Sequence, residues 1–143
     1  MQVTTKGRYA VMAMADLAVH ANGSPIQLAT VAYRTQIDFG YLEQIFIKLK
    51  KAALIKSTKG PGGGYQIAKP ISDISLFDIM HAVEEGLQMT RCSKGKTGCM
   101  EDNLQCMTHH IWEALEKNIS DFLSKITLES ICTNRTLKNV VGL

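Results

Sequence analysis

The sequence predicts a mainly α-helical chain with one small β-hairpin and a long helix toward its C-terminal end. Three observations carry this expectation. Apolar residues recur at helical spacing through most of residues 4–53. Two short strand-like runs, at 55–58 and 65–68, flank the glycine-rich stretch "KGPGGG". From Trp112 to Ile126 the apolar positions step by 3, 4, 3 and 4, which is a heptad seam. A length of 143 residues suits one ordinary domain, or a small domain with a helical arm, and a hydrophobic fraction of 45% suits a packed core. No apolar run approaches the ~18 residues that a membrane helix needs.

The elements follow in order. "TTKGRYAVMAMADLAVHANG" opens on a threonine cap, stays apolar to Val19 and stops at Asn22-Gly23. It is apolar on most sides, so it belongs between other elements. "PIQLATVAYRTQ" is a short second helix, and a break follows around Ile37-Asp38. In "FGYLEQIFIKLKKAALI", Leu42, Ile45, Phe46, Leu49 and Ala53 share one face, while Tyr41, Gln44, Lys48 and Lys51 share the opposite one. A short helix, a turn and a helix with a polar, basic outer face make a helix-turn-helix. The hairpin "IKSTKGPGGGYQIAK" comes directly after it, and its glycines leave a bare backbone open to close approach. The expected fold class is therefore mainly α with a small β wing: a winged helix-turn-helix domain plus a long C-terminal dimerisation helix.

The winged domain is assigned to residues 1–70, ending near Pro70. A connecting helix occupies 71–90, with Ser75 as cap, Asp78 in the first turn, and Leu76, Ile79, Met80 and Val83 turned inward. A cysteine-rich loop covers 91–110. The long helix is expected from about Gln105 to Ile126, within a dimerisation and closing segment at 105–143. Its seam, Trp112, Leu115, Ile119, Phe122 and Ile126, is most simply buried against a second copy of the chain, as a homodimer with twofold symmetry.

Charge divides the two halves. Residues 1–69 hold nine Lys/Arg against three Asp/Glu, and residues 70–143 hold seven against ten. A basic first half points to nucleic acid there. In a winged helix, Tyr41, Glu43 and Gln44 reach base edges; Gln suits adenine, and Glu accepts from cytosine. Lys6, Arg8, Lys48 and Lys51 are candidates for phosphate contacts. Lys59 at the wing tip, beside Gly60 and Gly62, is the candidate for the minor groove. A solvated helix face is the plainer reading of Lys48 and Lys51.

The opening "MQVTTKGRYAV" has no signal-peptide layout, which predicts a reducing cytoplasm. Clustered cysteines there bind metal or carry redox chemistry rather than forming structural disulfides. Cys92, Cys99 and Cys106 are separated by six residues each, and His109 and His110 follow Cys106 by three and four positions. With Cys106 opening the long helix, capped from Asp102 or Gln105, either histidine lies one turn onward on the same side, and the spacing does not choose between them. Thiolates with an imidazole suit zinc or an iron–sulfur cluster. Zinc sites usually bring ligands as close pairs, and here Cys106/His109 is the one such pair. Cys132 is expected as a small core residue or free thiol, and His20 and His81 as structural histidines.

"KGRYAVMAMADLA", "YLEQIFIKLKKAALIKSTKGPGGGYQIAK" and "RC…C…CMTH" together resemble the bacterial iron–sulfur cluster regulator family (IscR-like) over roughly residues 1–140. The resemblance implies a dimeric winged-helix transcription factor. It implies a 2Fe–2S cluster held by Cys92, Cys99, Cys106 and His109, with the cluster-assembly machinery as donor. It also implies near-palindromic double-stranded promoter DNA as partner, with repression or activation of cluster-assembly genes. The chain departs from the family pattern in its cysteine gaps, six residues instead of five, in Lys59 where Arg is usual, and in Gly40 where Ser is expected. A nitric-oxide-sensing relative takes a carboxylate ligand near position 8, which is Arg8 here.

Two alternatives share this fold: a zinc-stabilised repressor and a redox- or nitric-oxide-responsive regulator. Enzyme chemistry is not expected. No nucleophile–base constellation is present, and "GPGGGY" lacks the Lys-Ser/Thr of a phosphate loop. An electron carrier would have no need of a basic recognition helix.

Overall fold

The computed structural model describes residues 3–83 and 98–133. Helix α1 (Thr5–Val19) begins at Thr4, whose hydroxyl accepts the Gly7 amide at 3.2 Å. Ala10, Ala13, Met14 and Leu17 are buried along it, and it packs against four other helices and the hairpin. That explains an apolar pattern on more than one side. Helix α2 (Leu28–Thr35) ends at Gln36, in the left-handed region at φ 58. Helix α3 (Phe39–Lys51) starts on Asp38, whose carboxylate accepts the Tyr41 amide at 2.9 Å. Arg34 and Asp16 tie α2 to α1 with paired guanidinium–carboxylate bonds of 2.7–3.2 Å, which push the Arg34 guanidinium up from its ordinary range.

The inward face of α3 is Leu42, Ile45, Phe46 and Leu49, all buried. Ala53, expected on that face, is not part of it. The helix ends at Lys51, Ala53 turns to φ 57 and is exposed, and Leu54 and Ile55 fill the core instead. The amide of Leu54 donates to the Leu49 carbonyl at 3.1 Å and that of Ala53 to the Lys50 carbonyl at 2.9 Å. This is the paired bonding that closes a helix through a left-handed residue.

Strands β1 (Ile55–Thr58) and β2 (Gly64–Ile67) form an antiparallel hairpin with Ile55 opposite Ile67 and Thr58 opposite Gly64. Gly60 and Gly62 at its tip have φ of 92 and 74, which explains the glycines of "KGPGGG". Tyr65 anchors the hairpin. Its ring packs edge-on against Phe46, and its backbone pairs with Ile26 at 2.7 and 2.9 Å.

A 3₁₀ turn (Ile71–Asp73) leads to α4 (Leu76–Val83). Ser75 and Asp78 cap it reciprocally: the Ser75 amide donates to the Asp78 carboxylate at 2.9 Å and the Asp78 amide to the Ser75 hydroxyl at 3.1 Å. Ile79, Met80 and Val83 are buried as expected. The expected connecting segment beyond Val83 and the closing segment beyond Thr133 lie outside the described residues.

Helix α5 spans His109–Lys125, starting later than the expected Gln105. Helix α6 (Leu128–Thr133) returns to α1 and α4. The junction is stitched to the start of α4, with the Leu76 amide on the Ile126 carbonyl at 2.7 Å and the Leu128 amide on the Ile74 carbonyl at 2.8 Å. Ile126 therefore lies outside α5 and is buried in its own domain, which removes it from the expected seam. Trp112, Leu115 and Phe122 remain 40%, 39% and 41% exposed, joined by Ile111, with Ile119 half-buried. No described helix is long and apolar enough to cross a membrane.

Candidate nucleic-acid interface and metal centre

The outward side of α3 is set by what its inward side buries. Glu43, Gln44 and Lys51 are exposed on it. Tyr41 is half-buried because its ring meets that of Tyr9 edge-on at 5.8 Å between centroids. That contact places the first turns of α1, with Lys6 half-buried and Arg8 exposed, beside the start of α3. Lys48 differs from the solvated lysine the sequence suggests. It is half-buried, and its ammonium donates to the Val83 carbonyl at the end of α4, at 3.3 Å. Lys59, Gly60 and Gly62 stand exposed at the wing tip, where the Gly63 amide donates to the Gly60 carbonyl at 2.9 Å.

The cysteine-rich segment is described from Gly98 onward, so Cys92 lies outside the described residues. Residues 98–104 form a tight loop. The amides of Gly98 and Met100 donate to the Asn103 and Leu104 carbonyls at 3.1 Å each, and Asn103 turns at φ 57. A Cβ on Gly98 would stand 2.1 Å from the Leu104 carbonyl oxygen, so this position has room for glycine alone.

The loop brings Cys99 to the start of α5. The Cys106 amide donates to the Cys99 sulfur at 3.1 Å, and His109 Nδ1 lies 4.0 Å from the same sulfur. His109 is buried, at 3% exposure. His110 is exposed and turns toward Glu113, 3.8 Å away. Cys106 does not open the helix as expected. It precedes α5 by a turn in which its carbonyl accepts the His109 amide at 3.0 Å, and Thr108 occupies the cap position. The Cys106 sulfur lies 3.4 Å from the Thr108 hydroxyl, which also accepts the indole N–H of Trp112 at 3.1 Å.

Two ligands at ~2.3 Å and ~2.1 Å on one tetrahedral metal sit ~3.6 Å apart. The Cys99–His109 separation fits such a pair, and a backbone N–H on the sulfur suits a thiolate ligand. Among the described residues no three His, Cys, Asp or Glu side chains converge closely enough to hold an ion, and the Cys106 sulfur lies against the Thr108 hydroxyl. Cys132 stands apart from this group, against the Ala15 carbonyl, and burial pushes its thiol up from its ordinary range. His81 stacks on Phe77, and the His20 ring donates to the Asp16 carbonyl at 2.9 Å, both structural roles.

The expected site residues omit Thr108, which joins Cys106 to Trp112, and Ile47, which is 61% exposed on α3. Spacing offered a signal for Ile47, since it follows Glu43 and Gln44 by four and three positions.

A helix-turn-helix with a basic outer helix and a glycine-tipped wing defines the winged-helix class of DNA-binding transcriptional regulators. The Rrf2 family, described as iron-dependent transcriptional regulators, matches residues 3–134, and the chain belongs to it. It is 42% identical to the HTH-type transcriptional regulator IscR of Photorhabdus laumondii, over 99% of this chain and 85% of that one. Among solved structures it is similar to T. potens IscR, with a TM-score of 0.75 and 34% identity over 94% of this chain and 88% of that one. It is also similar to CymR, the global cysteine regulator of B. subtilis, with a TM-score of 0.77 and 26% identity over 94% and 98%. These relatives are transcriptional regulators, not enzymes.

Proposed function

We propose that the protein is a cytoplasmic, homodimeric regulator of iron–sulfur cluster assembly genes, controlled by a 2Fe–2S cluster held by Cys92, Cys99, Cys106 and His109. The observation that carries this reading is the convergence of the Cys99 sulfur, the Cys106 amide and the buried His109 imidazole at the start of α5. The names of the IscR relatives support it. A bound cluster would supply a redox-active, removable group fed by the assembly machinery. The donor set would equally accept zinc. A redox- or nitric-oxide-responsive regulator would use the same fold, but Arg8 stands where the nitric-oxide-sensing relative takes a carboxylate ligand.

Gln44, Glu43 and Tyr41 face base edges, Lys6, Arg8 and Lys51 face phosphates, and Lys59 with Gly60 and Gly62 enters the minor groove. Lys48 chiefly holds α3 against α4. The exposed face of Ile111, Trp112, Leu115 and Phe122 pairs two copies. That places two reading helices about 34 Å apart on a near-palindromic site. Ligation by Cys99, Cys106 and His109 fixes the loop that opens α5, and with it the angle between the two winged domains.

The test compares promoter affinities of anaerobically purified wild type and Cys92→Ala at one fixed salt concentration. The regulatory reading expects at least one promoter to separate the two proteins. Equal affinity for every promoter would sink it.

A further inference from the structure

We propose that Ile47 is a specificity-determining residue that reads the C5-methyl group of a thymine in the major groove. The proposal rests on α3 as the DNA-reading helix of this regulator and is independent of the metal site. Gly40, Glu43, Gln44, Ile47 and Lys51 recur at spacings of three and four, so they form one stripe on α3. All five are exposed, and Ile47 lies in the middle of the stripe. Packing does not require it, because Leu42, Ile45, Phe46 and Leu49 already fill the inward side. A β-branched residue on an exposed helix face also gives up helix propensity relative to Lys or Gln. Single exposed apolar residues are common. What singles out this one is its place, flanked by the polar side chains that face the bases.

The chemistry of the groove then selects its target. The major-groove base edges otherwise present hydrogen-bond donors and acceptors and the small C5–H of cytosine, so the thymine methyl is the one apolar group that projects into the groove. At the N-terminal end of the stripe, Gly40 offers bare backbone. A Cβ there would meet only the Asp38 carboxylate oxygen, at 3.4 Å, so a side chain would fit and the glycine leaves the helix start free to approach the groove. Ile47 lies about 10 Å further along the axis, a span of about three base steps. The stripe thus presents open backbone, then two hydrogen-bonding side chains, then an apolar contact, then a cation.

The experiment uses duplexes recovered by the purified full-length protein from a random-sequence pool. The preferred duplex is resynthesised with uracil replacing thymine at one position at a time, which removes only the methyl group. Affinities are read by fluorescence anisotropy for wild type, Ile47→Ala and Ile47→Ser, with circular dichroism confirming that each variant is folded. Wild type should lose about fourfold at one thymine per half-site, the size expected for one methyl contact. Both variants should bind the thymine and uracil duplexes alike. A wild type indifferent to uracil at every position overturns the role of Ile47 and leaves the DNA-reading helix standing. So does a variant that still discriminates. If no preferred duplex is recovered, both ideas fall.

Discussion

His109 Nδ1 lies 4.0 Å from the sulfur of Cys99, whereas the adjacent His110 reaches out to Glu113 at 3.8 Å. Two neighbouring histidines thus have separate surroundings, one buried with sulfur and one in solvent. His109→Ala should lose most of its bound metal on desalting, and His110→Ala should retain it at the wild-type level. Metal analysis of the three proteins purified side by side decides this. Loss from His110→Ala alone would make His110, not His109, the ligand.

The loop that presents Cys99 depends on Gly98. A methyl group there would collide with the Leu104 carbonyl. Gly98→Ala should therefore lower metal content without lowering the thermal midpoint of the metal-free protein, whose core is built from α1 to α4, β1 and α6. A variant that binds metal normally would show that the tight turn is dispensable.

Trp112, Leu115 and Phe122 on α5 remain 40%, 39% and 41% exposed. Leu115→Glu places a charge at the centre of this face. Light scattering should give twice the 15.8 kDa chain mass for wild type and a single chain mass for the variant. A dimeric variant would locate the pairing surface elsewhere.

Ala53 occupies a left-handed position, φ 57, at which a side chain is strained and glycine is preferred. Ala53→Gly should raise stability by about 1 kcal/mol, seen as a higher urea midpoint with an unchanged slope. A lower midpoint would mean that the extra backbone entropy glycine gives the unfolded chain wins.

The helix starts at Thr4 and Ser75 are readable in the sequence because each carries a side chain that caps its own helix, whereas Asp38 reads only as a break and its capping of α3 comes from the structure. Ala53 and Ile126 are misread because a periodic pattern continues past the residue where the backbone turns. Nothing in an alanine signals the left-handed turn, and the burial of Ile126 comes from pairing with the start of α4, a contact distant in sequence. The delayed start of α5 has the same origin, since Cys106 closes a turn onto His109 before the helix begins. The donor types of the proposed metal site are legible from composition and spacing. Spacing three against spacing four does not separate His109 from His110; the family resemblance implies His109, and its burial supports that choice. Lys48 looks solvated in sequence because the carbonyl it meets, Val83, lies 35 residues away.

The central claim is tested most directly by anaerobic purification of the wild-type protein, with a visible absorption spectrum and counts of iron and acid-labile sulfide. The account predicts a coloured protein with about two irons and two sulfides per chain. A colourless protein carrying about one zinc per chain and no sulfide would contradict it.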